Sequence, residues 1–215
     1  MINVNKIAEM DKEIRGTVAK LTDFPKGKTA IVFIDMVVGF VHKGVLSSPR
    51  VVEIVNELVV LNEKTNGYKK IFFLDEHEKG CAEHNNYAEH CLKGTEEAEL
   101  IPELREGATL HSNTVMIPKN STNGFHAPGF KSWLEENEAE IENYIVVGCE
   151  IDICVSHFAT TLKTYFNQKN LNRRIIVPIN GVETFDFGTH DGDLMKVISL
   201  WEMKSNGIEI VETIE

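Results

Sequence analysis

No stretch of this sequence approaches the roughly 18 consecutive apolar residues that a membrane-spanning helix requires, and its start, MINVNKIAEMDKEIRG, lacks the apolar core of an export signal. The expectation is a cytoplasmic protein with no membrane partner. Cysteine is scarce. Cys81, Cys91, Cys149 and Cys154 form no C-x-x-C pair, and a chain this long can build a core without cross-links, so all four are read as reduced. Positive charge is in deficit, with 22 Lys plus Arg against 33 Asp plus Glu and a formal charge of -11. That balance opposes phosphate backbones and anionic lipid, which argues against nucleic acid as a partner. Internal repeats, low-complexity tracts and linkers rich in Gly, Pro and Ser are missing too, so the 215 residues are read as one domain.

What is present is an ordinary globular composition, 42% hydrophobic and 26% charged. Apolar runs ending in polar residues recur at Thr29 to Asp35, Lys70 to Asp75, Thr114 to Pro118, Tyr144 to Gly148, Arg174 to Pro178 and Ile208 to Val211. They are rich in Ile and Val and mostly lack the alternation of a half-exposed sheet, which predicts buried parallel strands. Helical spacing fills the intervals Pro49 to Glu63, Pro128 to Glu136, Cys154 to Asn167 and Asp191 to Lys204. Strand alternating with helix predicts an α/β fold, a single-domain three-layer α/β/α arrangement around a mostly parallel sheet. Residues 1–28 read as an N-terminal arm ahead of the domain at 29–215. Ile7, Met10 and Ile14 give the arm an amphipathic helical spacing, suited to packing on the domain or on a second subunit. The longest irregular stretch, Asp75 to about Leu100, holds three histidines, and long loops in compact domains are often functional.

The segment from Asn143 to Ala159 reads as a strand, a tight turn at Gly148 and a helix opening near Asp152. That places Cys154 at a helix N-terminus, where the dipole favours the reactive thiolate and free amides can stabilise an oxyanion. Taken alone, Cys154 is no more than a small buried residue, the reading kept for Cys149. Asp35 alone is a helix cap, and Lys119 alone a solvated surface residue. What sets the three apart is position: each lies at or just beyond the carboxyl end of a strand, where open α/β sheets bind ligands. A carboxylate, an ammonium and a thiol at one edge suit nucleophilic catalysis, with Asp35 as general base and Lys119 holding it ionised.

Asp75 and His77 lie two apart and project to one side of an extended strand end, while His84 and His90 can fold back from the loop. This donor set suits one divalent ion, zinc first, with iron or manganese as alternatives. Asp75, His77 and His90 are the firmest three. Glu83 competes with His84 as a further ligand, and Cys81 or Cys91 can substitute in a softer site.

From Thr29 onward the chain resembles the isochorismatase-like cysteine hydrolases, which have a Rossmann-like fold, and within them the nicotinamidases. The resemblance rests on Asp35 with Phe40 five later, Asp75-Glu-His77, His90-Cys-Leu-Lys-Gly-Thr95, Lys119 followed by Asn123-Gly-Phe, and Gly148-Cys-Glu-Ile-Asp152-Ile-Cys154-Val. It implies a catalytic triad of Asp35, Lys119 and Cys154, a cis peptide just before Glu150, and an oxyanion hole from the amides of Glu150 and Cys154. It also implies a metal that holds a pyridine nitrogen, with Phe40 and Tyr87 flanking the aromatic ring. The implied activity is hydrolysis of nicotinamide to nicotinic acid and ammonia through a thioester on Cys154. Hydrolysis of another small amide or carbamoyl compound, or non-catalytic metabolite binding, are the alternatives. Glu150 departs from the small residue usual in the family, and the loop from His77 to His90 is shorter than in many nicotinamidases. The resemblance and the apolar positions of the arm also suggest a homo-oligomer.

Overall fold

The computed structural model describes residues 4–109 and 113–215. Its centre is a six-stranded sheet of β1 (Thr29–Ile34), β2 (Lys69–Asp75), β3 (Thr114–Lys119), β4 (Asn143–Gly148), β5 (Arg174–Pro178) and β6 (Glu209–Val211). All five pairings are parallel and the order is β3-β2-β1-β4-β5-β6. The chain therefore starts in the middle, winds outward to β3, returns to lay β4 beside β1, and winds the other way. That reversal between β1 and β4 is the switch point at which such sheets open a crevice.

The helices are α1 (Val4–Ile14), α2 (Val38–Val41), α3 (Pro49–Lys64), α4 (Pro102–Thr109), α5 (Pro128–Asn137), α6 (Ser156–Gln168) and α7 (Gly192–Ser205). Because successive side chains of a strand point to opposite faces, β1 divides its residues between two cores. Ala30, Val32 and Ile34 pack with Phe130 and Trp133 of α5, Phe158 and Leu162 of α6 and Leu200 of α7. Ile31 and Phe33 join Val51, Ile54 and Leu58 of α3 and Leu104 of α4 on the other side. The result is the expected three-layer fold. Every residue of β1 and β4 is buried, which is why their sequences read as unbroken apolar runs.

The arm packs on its own domain. Ile14 is buried beside Leu200 and Met203 of α7, and Trp201 Nε1 donates to the Glu13 carboxylate at 3.3 Å. Beyond the helix, Glu212 N donates to Thr17 O (2.7 Å), Ala19 N to Thr213 O (3.1 Å) and Glu215 N to Ala19 O (3.0 Å), so the arm pairs with the chain end past β6.

Element ends differ from expectation by a residue or so, except in two places. The helix expected from Cys154 is preceded by a wider π turn, Ile151–Val155, and becomes α-helical only at Ser156. α2 and α4 were not anticipated.

Candidate active site

Strand register brings the candidate residues together. Asp75 ends β2 directly opposite Lys119, which is the last residue of β3 rather than the first beyond it. Ile34 of β1 lies between Phe73 of β2 and Gly148 of β4, and Asp35 follows it at once. A Cβ on Gly148 would sit 2.1 Å from the Ile34 carbonyl oxygen, and its φ of +118° disfavours any side chain, so only glycine lets β4 turn away this close to β1. Asp35 has φ +51°, a conformation that non-glycine residues adopt uncommonly and that gathers at functional sites. The peptide Cys149–Glu150 is cis, as the resemblance implies.

Lys119 Nζ lies 2.8 Å from Asp35 Oδ2, 2.6 Å from Asp75 Oδ1 and 3.9 Å from Cys154 Sγ. All four side chains are buried. Neither Asp35 oxygen is in a well-directed hydrogen bond, so the carboxylate holds Lys119 by charge and keeps acceptor capacity for a proton. Burial raises Asp35 to about 7, against the pull of the Lys119 ammonium. Burial also pushes the Cys154 thiol well above its usual value, more than Lys119 draws it down, and Asp35 pushes the same way. Burial and the two carboxylates thus favour the neutral thiol over the thiolate expected from the helix dipole, and an adjacent base would serve to activate it. Cys149 Sγ donates to the Asp35 carbonyl at 3.3 Å and is fully buried, consistent with a packing role.

A second cluster adjoins the first through Asp75. Its Oδ2 lies 2.9 Å from His77 Nε2 and 3.0 Å from His90 Nε2, and Glu83 Oε1 is 3.6 Å from His77 Nε2. Burial would raise Asp75, but Lys119 and the two imidazoles outweigh it and hold the carboxyl well below its usual range. One donor atom from each of Asp75, His77, Glu83 and His90 falls within 4.8 Å of the others. Outer contacts aim these donors: Asn120 Oδ1 lies 3.1 Å from His77 Nδ1, His90 Nδ1 is 2.7 Å from the Ala88 carbonyl, and Thr122 N donates to Glu83 Oε2 at 2.9 Å. His84 groups instead with His77 and Cys81, and both its ring nitrogens are buried with no hydrogen-bond partner among the described residues. Convergent carboxylate oxygens and imidazole nitrogens, with orphaned imidazole nitrogens alongside, fit a divalent metal. Cys91 is fully buried against Glu97, outside both donor groups.

A cavity of about 470 Å³ opens over both clusters, with Cys154, Asp75 and His90 in its lining. Phe40 and Tyr87 line it too, their rings 5.6 and 6.3 Å from that of His90. Two further wall segments were not singled out from sequence, Val45–Pro49 and Phe185–Phe187. The second follows β5, so the carboxyl-edge rule pointed to it. It is tied to the turn before α6 through Asp152, which accepts from Thr184 Oγ1 (2.5 Å) and His190 Nε2 (2.8 Å), while His190 stacks on Phe185.

The doubly wound parallel sheet thus places a buried thiol, carboxylate and ammonium together at its switch point. Residues 29–207 match the isochorismatase domain, and the chain belongs to the isochorismatase family. Nicotinamidase 1 of Arabidopsis thaliana is 27% identical over 217 residues, covering 86% of this chain and 85% of that protein. Among solved structures, pyrazinamidase/nicotinamidase from Streptococcus mutans superposes with a TM-score of 0.72 at 21% identity, covering 87% of this chain and 100% of the other. Pyrazinamidase of Pyrococcus horikoshii in complex with zinc gives 0.66 at 18%, covering 89% and 99%.

Proposed function

We propose that the chain is a cysteine amidohydrolase that converts nicotinamide to nicotinic acid and ammonia. The observation that carries this reading is the placement of Lys119 within 2.8 Å of Asp35 and 3.9 Å of Cys154 Sγ at the buried floor of a cavity. Asp35 takes the thiol proton and Cys154 Sγ bonds to the carboxamide carbon. The amides of Glu150 and Cys154 hold the resulting oxyanion, and the Glu150 amide donates to no other group of the described residues. The C–N bond then breaks, and ammonia leaves with the proton returned by Asp35. Water, losing its proton to Asp35, attacks the thioester and frees the acid and the thiol. Lys119 keeps Asp35 charged between these steps.

Asp75, His77 and His90, with Glu83 or His84, would hold one divalent ion, zinc being first choice, which supplies a Lewis-acidic point for a ring nitrogen. Phe40 and Tyr87 flank the ring. Ammonia release from nicotinamide by purified, metal-analysed protein tests the reading, with Cys154→Ala as control. Activity abolished in the folded variant is the expected outcome, and retained activity overturns the covalent route. Hydrolysis of other amides in a panel, with nicotinamide untouched, would keep the chemistry and change the substrate.

A further inference from the structure

The reaction uses the backbone of Glu150 and leaves its side chain idle. That side chain is 5% exposed and lines the cavity, yet neither carboxyl oxygen has a hydrogen-bond partner among the described residues. Its polar neighbours are engaged elsewhere: Thr184 Oγ1 donates to Asp152, and Cys149 Sγ to the Asp35 carbonyl. Buried polar groups are nearly always paired, so an orphan facing a cavity points to a partner on the cavity side, water at rest and a ligand group when one is bound. Burial, then repulsion from Asp152, raises this carboxyl to about 8; Thr184 and Cys149 lie close enough to draw it down, but their single protons are given to Asp152 and to the Asp35 carbonyl, so a positive or N–H group from the cavity side would draw it further towards carboxylate.

The cavity's charge says what kind of ligand. Asp75, Glu83 and Asp186 line it along with Glu150, and no Lys or Arg does among the described residues. Lys119, beneath, is held by Asp35 and Asp75. Arg50 is held by Glu183 (2.9 Å), Asp193 (2.7 Å) and Asp186 (3.5 Å). Among the described residues no Lys or Arg in the cavity wall competes for Glu150, while a substrate nitrogen bearing hydrogen finds an acceptor there.

We infer that the Glu150 side chain is a specificity-determining group that receives an N–H of the substrate, from an amino group or protonated base carried beside the scissile amide. The inference rests on the amidohydrolase reading for its substrate class. The test compares kcat/KM for nicotinamide and a set of ring-aminated nicotinamides in the metal-loaded parent protein, Glu150→Ala and Glu150→Gln. At least one aminated amide should exceed nicotinamide by about tenfold or more. Glu150→Ala should erase that preference, and Glu150→Gln, which keeps an acceptor oxygen and the side-chain shape, should retain part of it.

No preference in the parent protein, or a ranking unmoved in both variants, overturns the assignment. Calorimetric affinities of the same ligands for Cys154→Ala, with and without Glu150→Gln, separate the two readings. A Glu150-dependent ranking in binding without any turnover would sink the amidohydrolase reading and leave the Glu150 assignment standing. Turnover with a Glu150-independent ranking would do the reverse. The near-isosteric Gln variant carries the test if the Ala variant does not fold.

Discussion

Burial governs what Asp35 and Cys154 can do. A carboxyl near its ordinary range would be a poor acceptor for a buried thiol proton, whereas one raised to about 7 is matched to the task at neutral pH. The sign follows directly. In the proposed reaction Asp35 acts as carboxylate, so kcat/KM should be present above about 7 and lost as pH falls through that value, not through the ordinary value near 4. A pH–rate profile of kcat/KM should show this limb. Asp35→Asn should lower the rate by about 10² to 10⁴ and remove it; an unchanged limb in Asp35→Asn would assign it to another group. The convergence of Asp35, Lys119 and Cys154 was legible because each lies at or beyond the end of an apolar run. Their ionisation was not. A sequence places Cys154 at a helix start, but it does not show how deeply that start is buried or that Asp35 and Asp75 press against it. The orphaned carboxyl of Glu150 was hidden for the same reason, since a motif gives a residue's type without its partners.

At the scale of elements, strands were read well because β1 and β4 are buried on both faces, so apolar content alone marks them. α2 was missed because four residues are too short to show a helical period, and α4 because eight residues give barely two turns. The π turn was missed because its extra width answers to local packing rather than to propensity. The turn at Gly148 was legible, and its cause is steric: the Ile34 carbonyl occupies the space a Cβ would need. Gly148→Ala should therefore cost at least about 3 kcal/mol of stability, as expected for a forced backbone conformation with a clash. Chemical denaturation would measure it, and a loss under 1 kcal/mol would show that β1 and β4 can part without consequence. Because Gly148 sets the path to Cys154, the surviving folded fraction should also lose activity more than stability alone explains.

Taken whole, the molecule concentrates negative charge where its sheet reverses direction. The chain carries a formal charge of -11, and Asp75, Glu83 and Asp186 all line one cavity, so a divalent cation there would relieve repulsion that folding creates. Binding to the native state alone stabilises it by mass action, about 2.7 kcal/mol at a hundredfold excess over Kd. Chelation should therefore lower Tm as well as activity, and zinc should restore both. The variants decide which residue completes the donor set. Glu83 Oε1 shares the 4.8 Å group with Asp75, His77 and His90, and its other oxygen is anchored by Thr122 N, whereas His84 groups with His77 and Cys81. Glu83→Gln should therefore weaken zinc retention on dialysis by about 10- to 100-fold, as loss of a ligand or its orienting partner does, with a smaller loss for His84→Ala. The opposite order, read as bound zinc per chain, would move the ion to the side of His84 and Cys81, where its softer thiolate ligand would favour zinc over manganese.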